Sequence, residues 1–197
     1  MAVIKKYSIT ILIAVFIITY LQGCGIFDTR SPEDPNMVRS NYEPPTTPDA
    51  VLRNLEYSIQ DKNSNNYGKN LSSINYSYVP DAKAQQIYGQ IFLSWNQTAE
   101  RHYYENLISQ TNATSTSKLF LSNKTTNLIT PDSAVTAADY ILVFQHKKTN
   151  IPTSATGKMR LTFKSDENAF FYINQWEDFR KNDSDFTWSE MKASFSN

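Results

Sequence analysis

One cysteine, Cys24, stands among the 197 residues. No internal disulfide can form, so stability must come from a packed core even in an oxidising compartment. Zinc sites built on paired cysteines are excluded by the same count. Glycine is also scarce: there are 5, and two of them flank Cys24. Phosphate-cradling loops and dinucleotide fingerprints need clustered glycines, so no nucleotide cofactor is expected. Neither sign of charge is in excess, with 19 Lys+Arg against 19 Asp+Glu. Without a basic stripe the chain is not expected to bind nucleic acid. No G-x-S-x-G nucleophile elbow occurs, and no His/Cys cluster has metal-ligand spacing. Aromatic residues, by contrast, are plentiful: 12 Tyr, 11 Phe and 3 Trp, ample for the core of one domain.

The N-terminus has its own pattern. Lys5 and Lys6 precede an uncharged, mostly apolar stretch from Tyr7 to Leu21. It falls short of the ~20 residues that span a bilayer, and it reads as a secretory signal. Leu21-Gln22-Gly23-Cys24 closes it and resembles the bacterial lipobox, with Gln22 where a smaller residue is more usual. The resemblance implies cleavage after residue 23 and lipid on Cys24, whose two or more acyl chains would hold the protein to a membrane. Residues 24–47 then read as the lipidated Cys and a Pro-rich tether. Gly25 rather than an Asp follows Cys24, which points to the outer membrane rather than the inner if the host is Gram-negative. The expected address is the bacterial cell envelope.

A single domain is expected over 48–197. Thr47, Pro48 and Asp49 have helix-start chemistry, and Val51, Leu52, Leu55 and Ile59 follow on one face. Tyr67 and Leu71 suggest a second short helix after an apolar-free turn over 61–66. Ile74, Tyr76 and Tyr78 alternate as a brief strand. A third helix is predicted over 97–109, capped by Ser94 or Asn96, with Trp95, Ala99, His102, Tyr103, Asn106 and Leu107 along one face. Beyond Ser117 the period becomes two. Leu119 and Leu121, then Tyr140, Leu142, Phe144 and His146, then Met159, Leu161 and Phe163 mark successive strands. In the last strand Phe171 and Ile173 are two apart, but Trp176 comes three later and Asp178 after that. A bulge at Asn174-Gln175 would turn all of them inward and bend the sheet. Helices first and strands after make the class α+β.

This arrangement resembles the nuclear transport factor 2-like superfamily, which includes ketosteroid isomerase and polyketide cyclases of the SnoaL type, and more narrowly lipoproteins of that kind. The likeness runs over 47–197. It is carried by Pro48 to Leu55, Trp95 with Glu100 and Asn106-Leu107, Gly157, the pattern Phe171-x-Ile173-x-x-Trp176-x-Asp178, and Thr187-Trp188 with Lys192-Ala193 and Phe195. It implies three N-terminal helices on a strongly curved, mostly antiparallel sheet, a cone with an interior, and frequent dimers. No residue matches the acid-base pair of ketosteroid isomerase, so no catalytic residue is carried over.

The candidate lining of such an interior is Trp95, His102, Tyr103, His146, Phe171 and Trp176. Either histidine beside Glu100, Glu105 or Asp139 could move a proton, yet a satisfied core histidine explains each as well. Glu177 and Asp178 face opposite sides of a strand, and Asp183 and Asp185 lack the further oxygens of a calcium loop. The three tryptophans line a pocket or simply fill a core. A non-catalytic lipoprotein is therefore expected, binding a small apolar ligand, an envelope protein or a second copy of itself. A structural subunit, or an isomerase- or dehydratase-like enzyme, are the alternatives.

Overall fold

The computed structural model describes residues 41–112 and 114–197. The expected signal and lipobox, with Cys24, lie outside the described residues. Among the described residues five helices and five strands follow in order: α1 (Pro48–Gln60), α2 (Ser64–Lys69), β1 (Ser77–Val79), α3 (Ala82–Phe92), α4 (Gln97–Ser109), β2 (Ser117–Thr130), β3 (Ser133–Phe144), β4 (Ser154–Ser165), β5 (Phe171–Phe179) and α5 (Trp188–Ser194). The chain is α+β, with one curved sheet in the order β1-β5-β4-β3-β2. β1 runs parallel to β5; the other pairings are antiparallel.

Local chemistry sets most of these boundaries. The Thr47 side chain accepts the Ala50 N–H and caps α1, which buries Val51, Leu52, Leu55 and Ile59. Asn63 caps α2 by accepting the Asn66 N–H, so this helix starts within the predicted turn and ends before Leu71. Asn96, not Ser94, caps α4. Helix α3 was not anticipated: it buries only Ala84 and Phe92 and is kinked at Tyr88, although Ala84, Tyr88, Ile91 and Phe92 recur at helical spacing and pack on the core. Among the described residues, four helices precede β2, where three were expected.

The strands keep their predicted sides. β3 and β4 alternate buried and more open residues. In β5, Thr162 pairs with Gln175 and Phe163 with Ile173, leaving Asn174 as the extra residue of a bulge. Phe171, Ile173, Trp176 and Asp178 are all buried as a result. Gly157 lies opposite Tyr140, and a Cβ there would sit 2.6 Å from the Tyr140 hydroxyl. Glycine is required here for room, which lets that ring lie across β4.

The tether reading needs a correction at its end. Within residues 41–47, Glu43 and Pro45 bind the domain, while positions 41, 44, 46 and 47 stay exposed. The Asn54 amide both donates to the Glu43 carbonyl and accepts the Glu43 N–H, and Pro45 is buried, its carbonyl accepting the Phe171 N–H. A side-chain amide that matches both backbone groups substitutes for a strand partner.

Candidate functional site

The helices meet the sheet over an interior that is polar at its centre. Glu100 sits in the first turn of α4, where the helix dipole favours a carboxylate. Its side chain and that of Lys192, from α5, are fully buried, with Nζ 2.7 Å from Oε1 and 2.8 Å from Oε2. Tyr67 from α2 donates to Oε1 at 2.7 Å. Tyr76, just before β1, donates to Oε2 at 2.9 Å, and the Trp95 indole N–H reaches Oε2 at 2.6 Å. The carboxylate thus has four donors. Around the ammonium stand the rings of Tyr78, 3.6 Å from Nζ to centroid, and Trp176, 4.1 Å away. Their π-faces attract the cation electrostatically.

A second carboxylate, Asp178 of β5, lies next to this group. The Tyr140 hydroxyl donates to its Oδ1 at 2.8 Å, and the Ser189 N–H and hydroxyl donate to Oδ2 at 2.8 and 2.6 Å. Tyr78 joins the two halves: its ring faces Lys192, and its hydroxyl lies 2.8 Å from that of Ser189. Trp188 does the same, its backbone N–H donating to Tyr140 at 2.8 Å and its indole N–H to the Tyr103 hydroxyl at 2.9 Å.

Helix α5 carries Lys192 and Trp188 inward and is bolted in place. Thr187 and Glu190 form a reciprocal capping box. The Thr187 hydroxyl donates to Asp81 at 2.6 Å, and Arg180 pairs with both Asp81 and Glu190. Such a helix, 7 residues long, would not hold its shape unaided. Burial lowers the Lys192 ammonium to about 8, against the pull of Glu100 and Asp178. Burial raises the Asp178 carboxyl, opposed by the Ser189 and Tyr140 hydrogen bonds. It also pushes Tyr67, Tyr76, Tyr78, Tyr103 and Tyr140 well above the ordinary phenol range, with a nearby carboxylate adding to each.

Of the six residues expected to line the interior, Trp95, Tyr103, Phe171 and Trp176 are buried. His102 is not. It is exposed on the outer side of α4, because the buried face is Glu100, Tyr103, Tyr104 and Leu107, one position round from the predicted stripe. His146 lies beyond the end of β3, half-buried, its ring against Phe195 and its Nε2 3.1 Å from the Pro152 carbonyl. Neither histidine joins the carboxylates. Glu105 pairs with Arg101, and Asp139 with Lys181, both away from the interior. The sequence reading named Lys192 only within the family likeness and gave it no place in the interior. Its signal was a lysine four residues after Trp188 and three before Phe195, on an otherwise apolar helical face. Glu100 carried a like signal, at the head of an i, i+3, i+4, i+7 set with Tyr103, Tyr104 and Leu107. Among the described residues, no His/Cys/Asp/Glu group could hold a metal ion, and no helix is long and apolar enough to cross a membrane.

No family model matches the chain, and no curated protein matches it in sequence. Solved structures do match in shape. A candidate aromatic ring hydroxylase from Novosphingobium aromaticivorans aligns at 11% identity and a TM-score of 0.54, over 73% of this chain and 92% of that one. A candidate scytalone dehydratase from the same organism aligns at 9% and 0.52, over 66% and 78%. A candidate calcium/calmodulin-dependent protein kinase II association domain from Xanthomonas campestris aligns at 12% and 0.51, over 68% and 86%. At such identities the likeness concerns the fold alone. Enzymes and an association module share it, so function rests on the site.

Proposed function

We propose that this chain is a cell-envelope lipoprotein, held by lipid on Cys24, whose domain binds rather than transforms its partner. One observation supports the non-catalytic part. The ionisable groups of the interior are spent on one another: Glu100 and Lys192 are fully buried, and the carboxylate accepts from four donors. Among the described residues, the hollows found at the surface are lined by other side chains. Ligands or partner proteins then meet the outside of the domain. Phe120 and Ile141 are a cross-strand pair on the outer sheet face, 46% and 48% exposed, and offer an apolar contact to an envelope protein or a second copy.

An isomerase- or dehydratase-like reading has one observation in its favour, the lysine lowered to about 8 beside a carboxylate and tyrosine hydroxyls. Amine-selective acylation of the native protein separates the two. A closed interior leaves Lys192 unmodified until the chain unfolds, while surface lysines react at once. Rapid native-state modification of Lys192 would refute the non-catalytic reading and favour the enzyme.

A further inference from the structure

Pro45 fixes where the chain joins the domain. It is buried, and its carbonyl accepts the Phe171 N–H at the head of β5. Phe171 pairs with Ser165 across the β4–β5 turn. The Ser165 N–H in turn donates to the Asp132 carbonyl at 2.8 Å, in the β2–β3 turn. Entry point and both hairpin turns therefore share one end of the sheet. From β5 to β2 that end is three strand spacings wide, or about 14 Å.

This end carries apolar side chains that the fold does not use. Among the described residues the four most exposed large apolar side chains are Ile74, Leu93, Leu128 and Ile129, from 86% down to 63%. Leu93 apart, they stand here. Ile74 lines a hollow with Pro45 and Phe170. Leu128 pairs with Ala134 and Thr130 with Ser133, so Ile129 is an extra, unpaired residue just before the β2–β3 turn. Bulges re-aim side chains in this way. One exposed aliphatic residue is ordinary, but three around one end mark a contact surface.

Two observations say what covers it. Sixteen residues separate Cys24 from Asn41. A free chain of that length spans roughly 20–24 Å, and a fully proline-extended one about 50 Å. A domain of this size is roughly 40 Å across, so the end where the chain enters is the one an anchor holds nearest to lipid. The second observation is that the apolar tips are few and separate. Three side chains are far from the ~20–30 residues a side of a stable protein pair, whereas apolar groups sink readily into a fluid headgroup layer. Charge here selects nothing, because the exposed side chains carry both signs: Asp132, Asp166 and Glu167 against Lys69 and Lys164.

We propose that this end of the domain lies on the bilayer, with Ile74, Leu128 and Ile129 set among the lipid headgroups by apolar contact alone. The proposal rests on the lipid anchor at Cys24 and names the face which that anchor brings to the membrane. The test uses the lipidated chain in phosphatidylcholine nanodiscs that carry a spin-labelled lipid, with isotope-labelled isoleucine methyl groups assigned by Ile→Val variants. Ile74 and Ile129 should broaden strongly, in low and high salt alike. Ile141, also exposed but about 27 Å along β3 from Ser133, should stay sharp. Leu128→Ser should keep the melting temperature and lower the docked-to-free ratio about tenfold, the worth of burying one aliphatic side chain. Equal broadening at Ile141, no loss in Leu128→Ser, or release by salt would each overturn the proposal. Concentration-dependent shifts of Ile74 and Ile129 without lipid would assign the face to a second copy and overturn it too. A native mass without lipid on Cys24 would sink the anchor and this proposal together, whereas a lipidated chain whose Ile74 and Ile129 stay sharp would sink the docking alone.

Discussion

Lys192 and Glu100 carry opposite consequences depending on whether one or both are changed. A buried pair gains little over an apolar pair of like volume, because desolvation offsets the attraction, but removing one partner strands the other charge. Lys192→Met should therefore destabilise the domain by about 3–5 kcal/mol, read from urea unfolding. Adding Glu100→Gln should recover about 0.5–3 kcal/mol of that loss through the coupling between contacting residues. Simple additivity would show that the pair is not energetically joined. Titration gives an independent reading of the same side chain. The folded chain releases the Lys192 proton near 8, against 10.5 for an ordinary lysine. Between those values the unfolded chain binds more protons, so unfolding free energy rises with pH, by at most ~1.4 kcal/mol per pH unit. Urea midpoints from pH 8 to 9.5 should show this rise in the native chain and not in Lys192→Met. Above pH 10 the trend should reverse, because the buried tyrosines stay protonated in the fold while unfolded ones ionise. A flat profile for the native chain over the lower window would contradict a buried, charge-paired lysine.

At the scale of elements, the bulge in β5 turns one residue into a sheet with a polar interior. It keeps Phe171 and Ile173 inward while also sending Trp176 and Asp178 inward. Deleting Asn174 would flip one half of the strand to the other face, exposing either two large apolar side chains or a tryptophan together with the anchor of Ser189. The expected outcome is a loss of more than about 4 kcal/mol or failure to fold. Asn174→Ala should stay within about 1 kcal/mol, since its side chain reaches only the Asn75 carbonyl, at 3.5 Å. Similar thermal melting for the two variants would mean that the extra residue is not needed. This bulge was visible in the spacing of four residues, as were the cap of α1 and the span of α4. Helix α3 and the true start of α2 went unread: the apolar set Ala84, Tyr88, Ile91 and Phe92 is interrupted by the kink at Tyr88, and the Asn63 cap lies in the apolar-free stretch assigned to a turn.

For the whole molecule, the proposed address and the architecture rest on different parts of the chain. Cys24 is the sole thiol, so Cys24→Ser should abolish labelling by a palmitate analogue and move the protein from membrane to soluble fractions, with its melting temperature unchanged. Equal labelling of both forms would refute the anchor. The domain itself shows where reading a linear chain stops. Caps, strand sidedness and the bulge follow from neighbours within a turn or a few residues, whose spacing dictates which face each side chain takes; these the sequence determined by itself. The partnership of Glu100 with Lys192 joins residues 92 apart, and that of Tyr78 with Ser189 joins residues 111 apart. Neither has any local signature beyond a charge on an apolar face. Only the docking of α5 against the sheet decided that the interior closes on its own ions, because desolvation and pairing depend on what the folded chain brings near, not on what lies alongside in sequence.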